Sequence, residues 1–113
     1  MKRESDAYLN DILEAIRRIK SYTAELNIKD FAEGTLQADA TLRNLEIIGE
    51  AVSQLPEEFK EKYPEIPWRD IKDFRNVVAH HYFSLNYKRI WDIIQNELNS
   101  LKEQIQTILK KNK

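Results

Sequence analysis

The sequence predicts an all-α protein, a bundle of four long helices and one short one. Three observations predict it. Only two glycines and three prolines interrupt 113 residues. Ile, Leu, Glu and Lys, which tolerate or favour helix, are abundant. Apolar residues recur at three- and four-residue intervals over long windows, the period of an α-helix with one buried face. The length is that of a single domain, residues 1–113, able to bury a core without covalent staples.

The first helix is expected from about Asp6 to Leu26. Leu9, Ile12, Ile16, Ile19, Thr23 and Leu26 fall on one stripe. Ser5 or Asp6 can cap its start and Asn27 can end it. A second helix is expected from Asp30, with Glu33 three residues on as a capping-box partner, through Gly34 to about Leu55. Leu42, Leu45, Gly49 and Val52 share one face; Leu36, Ala40, Ile47 and Ala51 share another. Two apolar faces suit a helix packed on more than one neighbour. A glycine inside a helix costs about 1 kcal/mol relative to alanine, so Gly49 points to a close helix–helix approach.

Pro56 opens a short helix through Phe59 to Tyr63, and Pro64 stops it. PEIPW is a rigid connector, after which Pro67 starts a helix with Trp68, Ile71, Phe74 and Val78 on its core face. A break or bend is expected around Ser84–Asn86. A last helix follows from about Tyr87 to Lys111, with Ile90, Ile94, Leu98, Leu101, Ile105 and Ile108 as its stripe. Its basic end, KKNK, complements the negative pole of the helix dipole. No repeat, low-complexity stretch or domain boundary appears.

Composition narrows the function. There is no cysteine, hence no disulfide and no thiolate metal site. The start, MKRESDAYLND, lacks the apolar run of a signal peptide, and no segment approaches the ~20 apolar residues that span a bilayer. A cytoplasmic protein with no membrane partner is expected. The formal net charge of −1 rules out a domain-wide positive field, so contact with nucleic acid has to come from a local site.

The most informative local cluster lies in IPWRDIKDFRNVVAHHYFSL, residues 66–85. The chain's only two histidines lie here, in the pattern R-x4-H-x-Y formed by Arg75, His80 and Tyr82, with Asn76 after the arginine. A histidine titrates near neutral pH and suits a general acid or base; a guanidinium suits a phosphate clamp or a transition-state stabiliser. Arg75 and His80 are five apart, about 140° around an ideal helix, and converge only if the helix ends near His80 or both reach into a shared cleft. Asn76 and His80, four apart, face each other, so the amide can fix the imidazole tautomer. From spacing alone, the commoner arrangement is a histidine capping a helix end beside an arginine in a surface ion pair. Adjacent His80 and His81 cannot share one metal from a single face, and no HxxxH, glycine-rich phosphate loop or GxSxG is present. A second polar stripe, Asp39, Arg43, Glu46 and Glu50, is most simply a solvated face; Glu46 and Glu50 repel each other unless a cation lies between, and Arg75 can be that cation.

LRNLEIIGEAVSQLP followed by IPWRDIKDFRNVVAHHYF resembles the HEPN superfamily, specifically its HepT-like branch. The match covers nearly the whole chain: a GEA turn in the second helix, then PW-x-x-I-x-x-x-RN-x-x-x-H-x-Y. The resemblance implies a toxin of the type VII HepT/MntA-like toxin–antitoxin class, made beside an MntA-like nucleotidyltransferase antitoxin. It implies a homodimer whose two R-x4-H motifs line a shared cleft, and metal-independent cleavage of RNA with Arg75 and His80 as the catalytic pair. It implies that Tyr82 is where the antitoxin attaches AMP. No cofactor is expected. His81 holds a variable position and inherits no role. The readings are therefore an RNase toxin, a non-catalytic HEPN module that docks a nucleotidyltransferase, and a nucleotide-binding helper domain. The R-x4-H motif favours the first; the near-neutral charge favours the others.

Overall fold

The structure, a computed structural model, describes residues 4–80 and 84–111. His81 and Tyr82 lie outside the described residues. The expected bundle is present: α1 (Ser5–Thr23), α2 (Leu36–Gln54), short α3 (Glu57–Lys62), α4 (Trp68–His80), and a final rod made of α5 (Tyr87–Asp92), a π-helical turn (Ile93–Glu97) and α6 (Leu98–Lys111). Among the described residues there is no strand, and no helix is long and apolar enough to cross a membrane.

α1 buries Leu9, Ile12, Ala15, Ile16, Ile19 and Thr23 and packs on α2 and α6. It is preceded by Glu4, which makes no side-chain cap; Ser5 and Asp6 are already inside the first turn, where the Asp6 carboxylate suits the positive end of the dipole. The helix stops at Thr23, earlier than the apolar stripe suggests. Asn27 and Asp30 then close a turn on each other: Asn27 Oδ1 accepts from the Lys29 and Asp30 amides, and Asp30 Oδ2 from the Asn27 amide.

The second helix begins at Leu36, not Asp30. Asp30 is committed to that turn, and Gly34 takes φ +83, a left-handed conformation that ends any helix running through it. Thr35 is the true cap, its Oγ1 accepting from the Ala38 amide at 3.2 Å. The expected face of Leu42, Leu45, Gly49 and Val52 is buried. The other face is mixed: Ala51 is buried, Ala40 and Ile47 are half-buried, and Leu36 is 79% exposed.

Pro56 precedes α3, and Trp68 locks the connector that follows. Its indole Nε1 donates to the Tyr63 carbonyl at 3.0 Å and the Lys60 carbonyl at 3.2 Å, which also accept from the Ile66 and Tyr63 amides, and so ties the start of α4 to the end of α3. This fixes where α4 starts. Trp68 and Val78 are buried and Ile71 and Phe74 half-buried, and α4 packs on α2, which also packs on α1.

The final rod is not one uniform α-helix. Its stripe opens with two intervals of four, Ile90–Ile94–Leu98, which drift around a 3.6-residue helix. The wider π turn absorbs that drift, and all six stripe residues are buried. The Lys20 ammonium, half-buried on α1, donates to the Ile94 carbonyl inside this turn at 2.5 Å. At the start of the rod, Asn86 caps α5 through the Arg89 amide, and Tyr87 and Trp91 pack on Phe31 with ring centroids 5.8 and 5.5 Å away.

Candidate active site on helix α4

α4 carries Asn76 and His80 toward solvent and Arg75 along its edge with α2. Val78 and Trp68 dictate this orientation: with Val78 buried in the core and Trp68 buried against α3, Asn76 and His80 face outward and Arg75 is left at the α2–α4 seam. Arg75 is half-buried, while Asn76 and His80 are exposed.

At the seam, Arg75 lies directly over Gly49. A Cβ built on Gly49 would overlap Arg75 Cβ and Cγ and stand 3.5 Å from its Cα. The glycine thus lets α4 approach α2, as its place in a helix interior suggests, and the residue it makes room for is the arginine of the motif. The Arg75 guanidinium turns to the next residue of α2, forming a hydrogen-bonded ion pair from Nη2 to Glu50 Oε1. On its other side, Nη1 donates to Asn76 Oδ1 at 3.1 Å. Two of its three nitrogens are held by the protein.

The stripe on α2 therefore divides. Arg43 pairs with Glu46 inside the helix at 3.5 Å, and Arg75 takes Glu50. Arg75 neutralises one of the two carboxylates instead of sitting between both. Asp39 belongs to a different neighbourhood, near the Tyr87 ring, whose hydroxyl is pushed above its ordinary range by burial and then by the Glu33 and Asp39 charges.

Asn76 engages the arginine, not the imidazole. Among the described residues His80 makes no hydrogen bond or ion pair, and it stands on the outer surface at the last residue of α4. The 140° separation of Arg75 and His80 persists, because α4 is regular helix through both. Within one chain they flank a convex edge with Ala79 and Asn76 between them. Such an edge can meet a phosphate from two directions only if a second surface faces it.

An apolar groove of about 560 Å³ runs along the other flank of α4, between it and the final rod. Ile71, Phe74, Ile93 and Leu101 line it, over a floor of Leu45 and Ile48. It takes in none of Arg75, Asn76 and His80. No group of three or more His, Asp or Glu side chains able to hold a metal ion occurs among the described residues.

A model of the HepT-like family, described as "Ribonuclease HepT-like", matches residues 12–108. The chain belongs to the HepT-like ribonuclease family. The match contains the α2 GEA turn and all of α4, the two segments that meet at Gly49, Glu50 and Arg75. Among curated proteins, the chain is similar to "Putative RNase MJ0127" of Methanocaldococcus jannaschii, 42% identical over 96% of this chain and 90% of the relative. It is similar to "Probable ribonuclease HepT" of Thermococcus cleftensis, 38% identical over 97% of this chain and the full relative. A third relative, "Gamma-glutamylcyclotransferase and putative RNase MJ0434" of Methanocaldococcus jannaschii, is 38% identical over 96% of this chain, which spans 49% of that protein's length. No solved structure matches the chain.

Proposed function

We propose that this protein is the RNA-cleaving toxin of a type VII HepT/MntA-like toxin–antitoxin pair. The observation that carries the reading is the Arg75 guanidinium, fixed by Glu50 and Asn76 in a chain of the HepT-like ribonuclease family, with a solvent-facing imidazole at His80.

In this mechanism His80 accepts the proton of a ribose 2′-hydroxyl. The 2′-oxygen attacks the adjacent phosphorus, Arg75 stabilises the charge that builds on the phosphoryl oxygens, and the bond from phosphorus to the 5′-oxygen breaks as that oxygen takes up a proton equivalent to the one His80 received. The product ends in a 2′,3′-cyclic phosphate. The route uses no metal. It needs a 2′-hydroxyl, so DNA survives.

A homodimer supplies the second surface that the convex edge of α4 lacks. Two copies facing each other bring an arginine and a histidine from each chain around one phosphate. Val77, 43% exposed beside Asn76, offers apolar area on the same outward side of α4. Light scattering at micromolar concentration is expected to give twice the chain mass.

Tyr82, two residues past His80, is the proposed site of AMP attachment by the MntA-like antitoxin. The adduct places a phosphate where it competes with RNA for Arg75.

The test is cleavage of RNA by purified wild type beside Arg75→Ala and His80→Ala. Wild type is expected to cut, and both variants to fold normally and lose cutting by about a hundredfold or more. Equal cutting by all three removes the pair from catalysis. The second reading, a non-catalytic module that docks a nucleotidyltransferase, draws on the net charge of −1 and on Glu50 already neutralising Arg75. It requires that wild type cut no RNA while still binding the enzyme.

A further inference from the structure

We propose that Glu50 is the positioning residue for Arg75, holding the guanidinium across the α2–α4 seam so that an RNA phosphate meets it already oriented. The proposal rests on the cleavage reading above and adds to it a residue outside the R-x4-H-x-Y motif.

Three features of the seam carry it. First, Gly49 removes the side chain that would hold the helices apart, and Glu50 is the next residue, so close approach and carboxylate arrive together. Second, the other cation of the α2 stripe is taken: Arg43 pairs with Glu46. Third, Glu50 and Asn76 hold different terminal nitrogens, Nη2 and Nη1. A guanidinium gripped at both ends cannot swing, yet its five N–H donors exceed what two acceptors consume. Donors remain for a phosphate.

Stability does not explain the pair. The side chains of Arg75 and Glu50 are 34% and 51% exposed, and ion pairs this wet add little to folding. A carboxylate beside a phosphate-binding arginine also repels the phosphate. Its presence is useful only if the orientation it imposes outweighs that repulsion in the transition state. This separates ground-state from transition-state effects. Removing the charge relieves repulsion of bound RNA, so KM stays equal or falls; it frees the guanidinium, so kcat falls.

The experiment pairs kinetics with a measure of arginine motion. Glu50→Ala is expected to lower kcat about tenfold or more, with KM unchanged or lower and the melting midpoint nearly unmoved. Glu50→Gln, which keeps an acceptor oxygen, falls between. In an Arg75→Lys background, where the fork is already lost, Glu50→Ala is expected to cost less than about twofold more. By ¹⁵N relaxation, the Arg75 Nε–H is expected to be ordered in wild type and mobile in Glu50→Ala. Unchanged kcat in Glu50→Ala, or a full additional loss in the Arg75→Lys background, overturns the proposal. So does an Arg75 Nε–H equally mobile in both proteins, whatever the RNA result. An ordered Arg75 that loosens in Glu50→Ala, in a wild-type protein that cuts no RNA, upholds the positioning and defeats the cleavage reading instead.

Discussion

Gly49 is a glycine because Arg75 lies against it. The arginine's Cβ and Cγ occupy the space a Gly49 side chain would fill. This contact ties the GEA turn of α2 to the R-x4-H segment of α4 and brings two separated stretches of sequence together at the candidate site.

Gly49→Ala should therefore be destabilising, although alanine is the better helix former. The propensity gain is about 1 kcal/mol. Forcing a methyl into a packed seam costs typically about 1–3 kcal/mol and displaces α4. The methyl meets Cβ and Cγ near the root of the Arg75 side chain, so a rotation at the far end cannot relieve it. Urea unfolding should show a lower midpoint. RNA cleavage should fall further than stability alone explains, because the displaced backbone carries Arg75. A midpoint above wild type would contradict the packing.

Lys20 gives a pH-dependent signature. Burial, and then the neighbouring Lys102 charge, hold its ammonium below the ordinary lysine value of 10.5. The folded state therefore releases this proton at lower pH than the unfolded chain, and in that window the unfolded chain binds more protons. Stability must rise with pH there. Relative to Lys20→Met, wild type should gain stability as pH climbs from neutral toward about 10.5, in paired chemical denaturations. Below the window, the variant avoids the cost of a buried charge but leaves the Ile94 carbonyl without its donor. A difference between the two proteins that is flat or falling with pH would contradict the assigned environment.

Much of the fold is legible in the sequence. The stripes of α1 and the final rod predict the buried residues because an amphipathic helix on a single core has little choice about which face it hides. The start of α2 is not legible in the same way. Asp30 and Glu33 carry the spacing of a capping box, yet Asp30 bonds to Asn27, and only the backbone conformation of Gly34 shows that the helix has not begun. The π turn is hidden because residues four apart fit an α-helix locally; the drift shows only when Ile90, Ile94 and Leu98 must face one core. At the site, the motif marks Arg75 and His80, and the α2 stripe suggests a carboxylate partner for the arginine. Which carboxylate, and that Asn76 serves Arg75 rather than His80, depends on how α4 crosses α2.

Tyr82→Phe should separate regulation from catalysis. It removes one oxygen, so folding and RNA cleavage should persist. Incubated with the cognate nucleotidyltransferase and ATP, wild type should gain the mass of one or more AMP units, mapped to Tyr82 by peptide mass spectrometry, and lose activity. The Tyr82→Phe protein should gain nothing and keep cutting. An adduct on another residue would reassign the switch and leave Tyr82 as a packing aromatic.

In the proposed reaction Arg75 and His80 cleave RNA through its own 2′-hydroxyl. The most direct measurement incubates wild-type protein in EDTA with an RNA oligonucleotide and with its fully 2′-O-methylated analogue, and analyses the new ends. The RNA should be cut to fragments ending in a 2′,3′-cyclic phosphate or its hydrolysis product while the analogue stays intact. Cleavage of the methylated strand, or activity lost in EDTA and restored by a divalent ion, would contradict it.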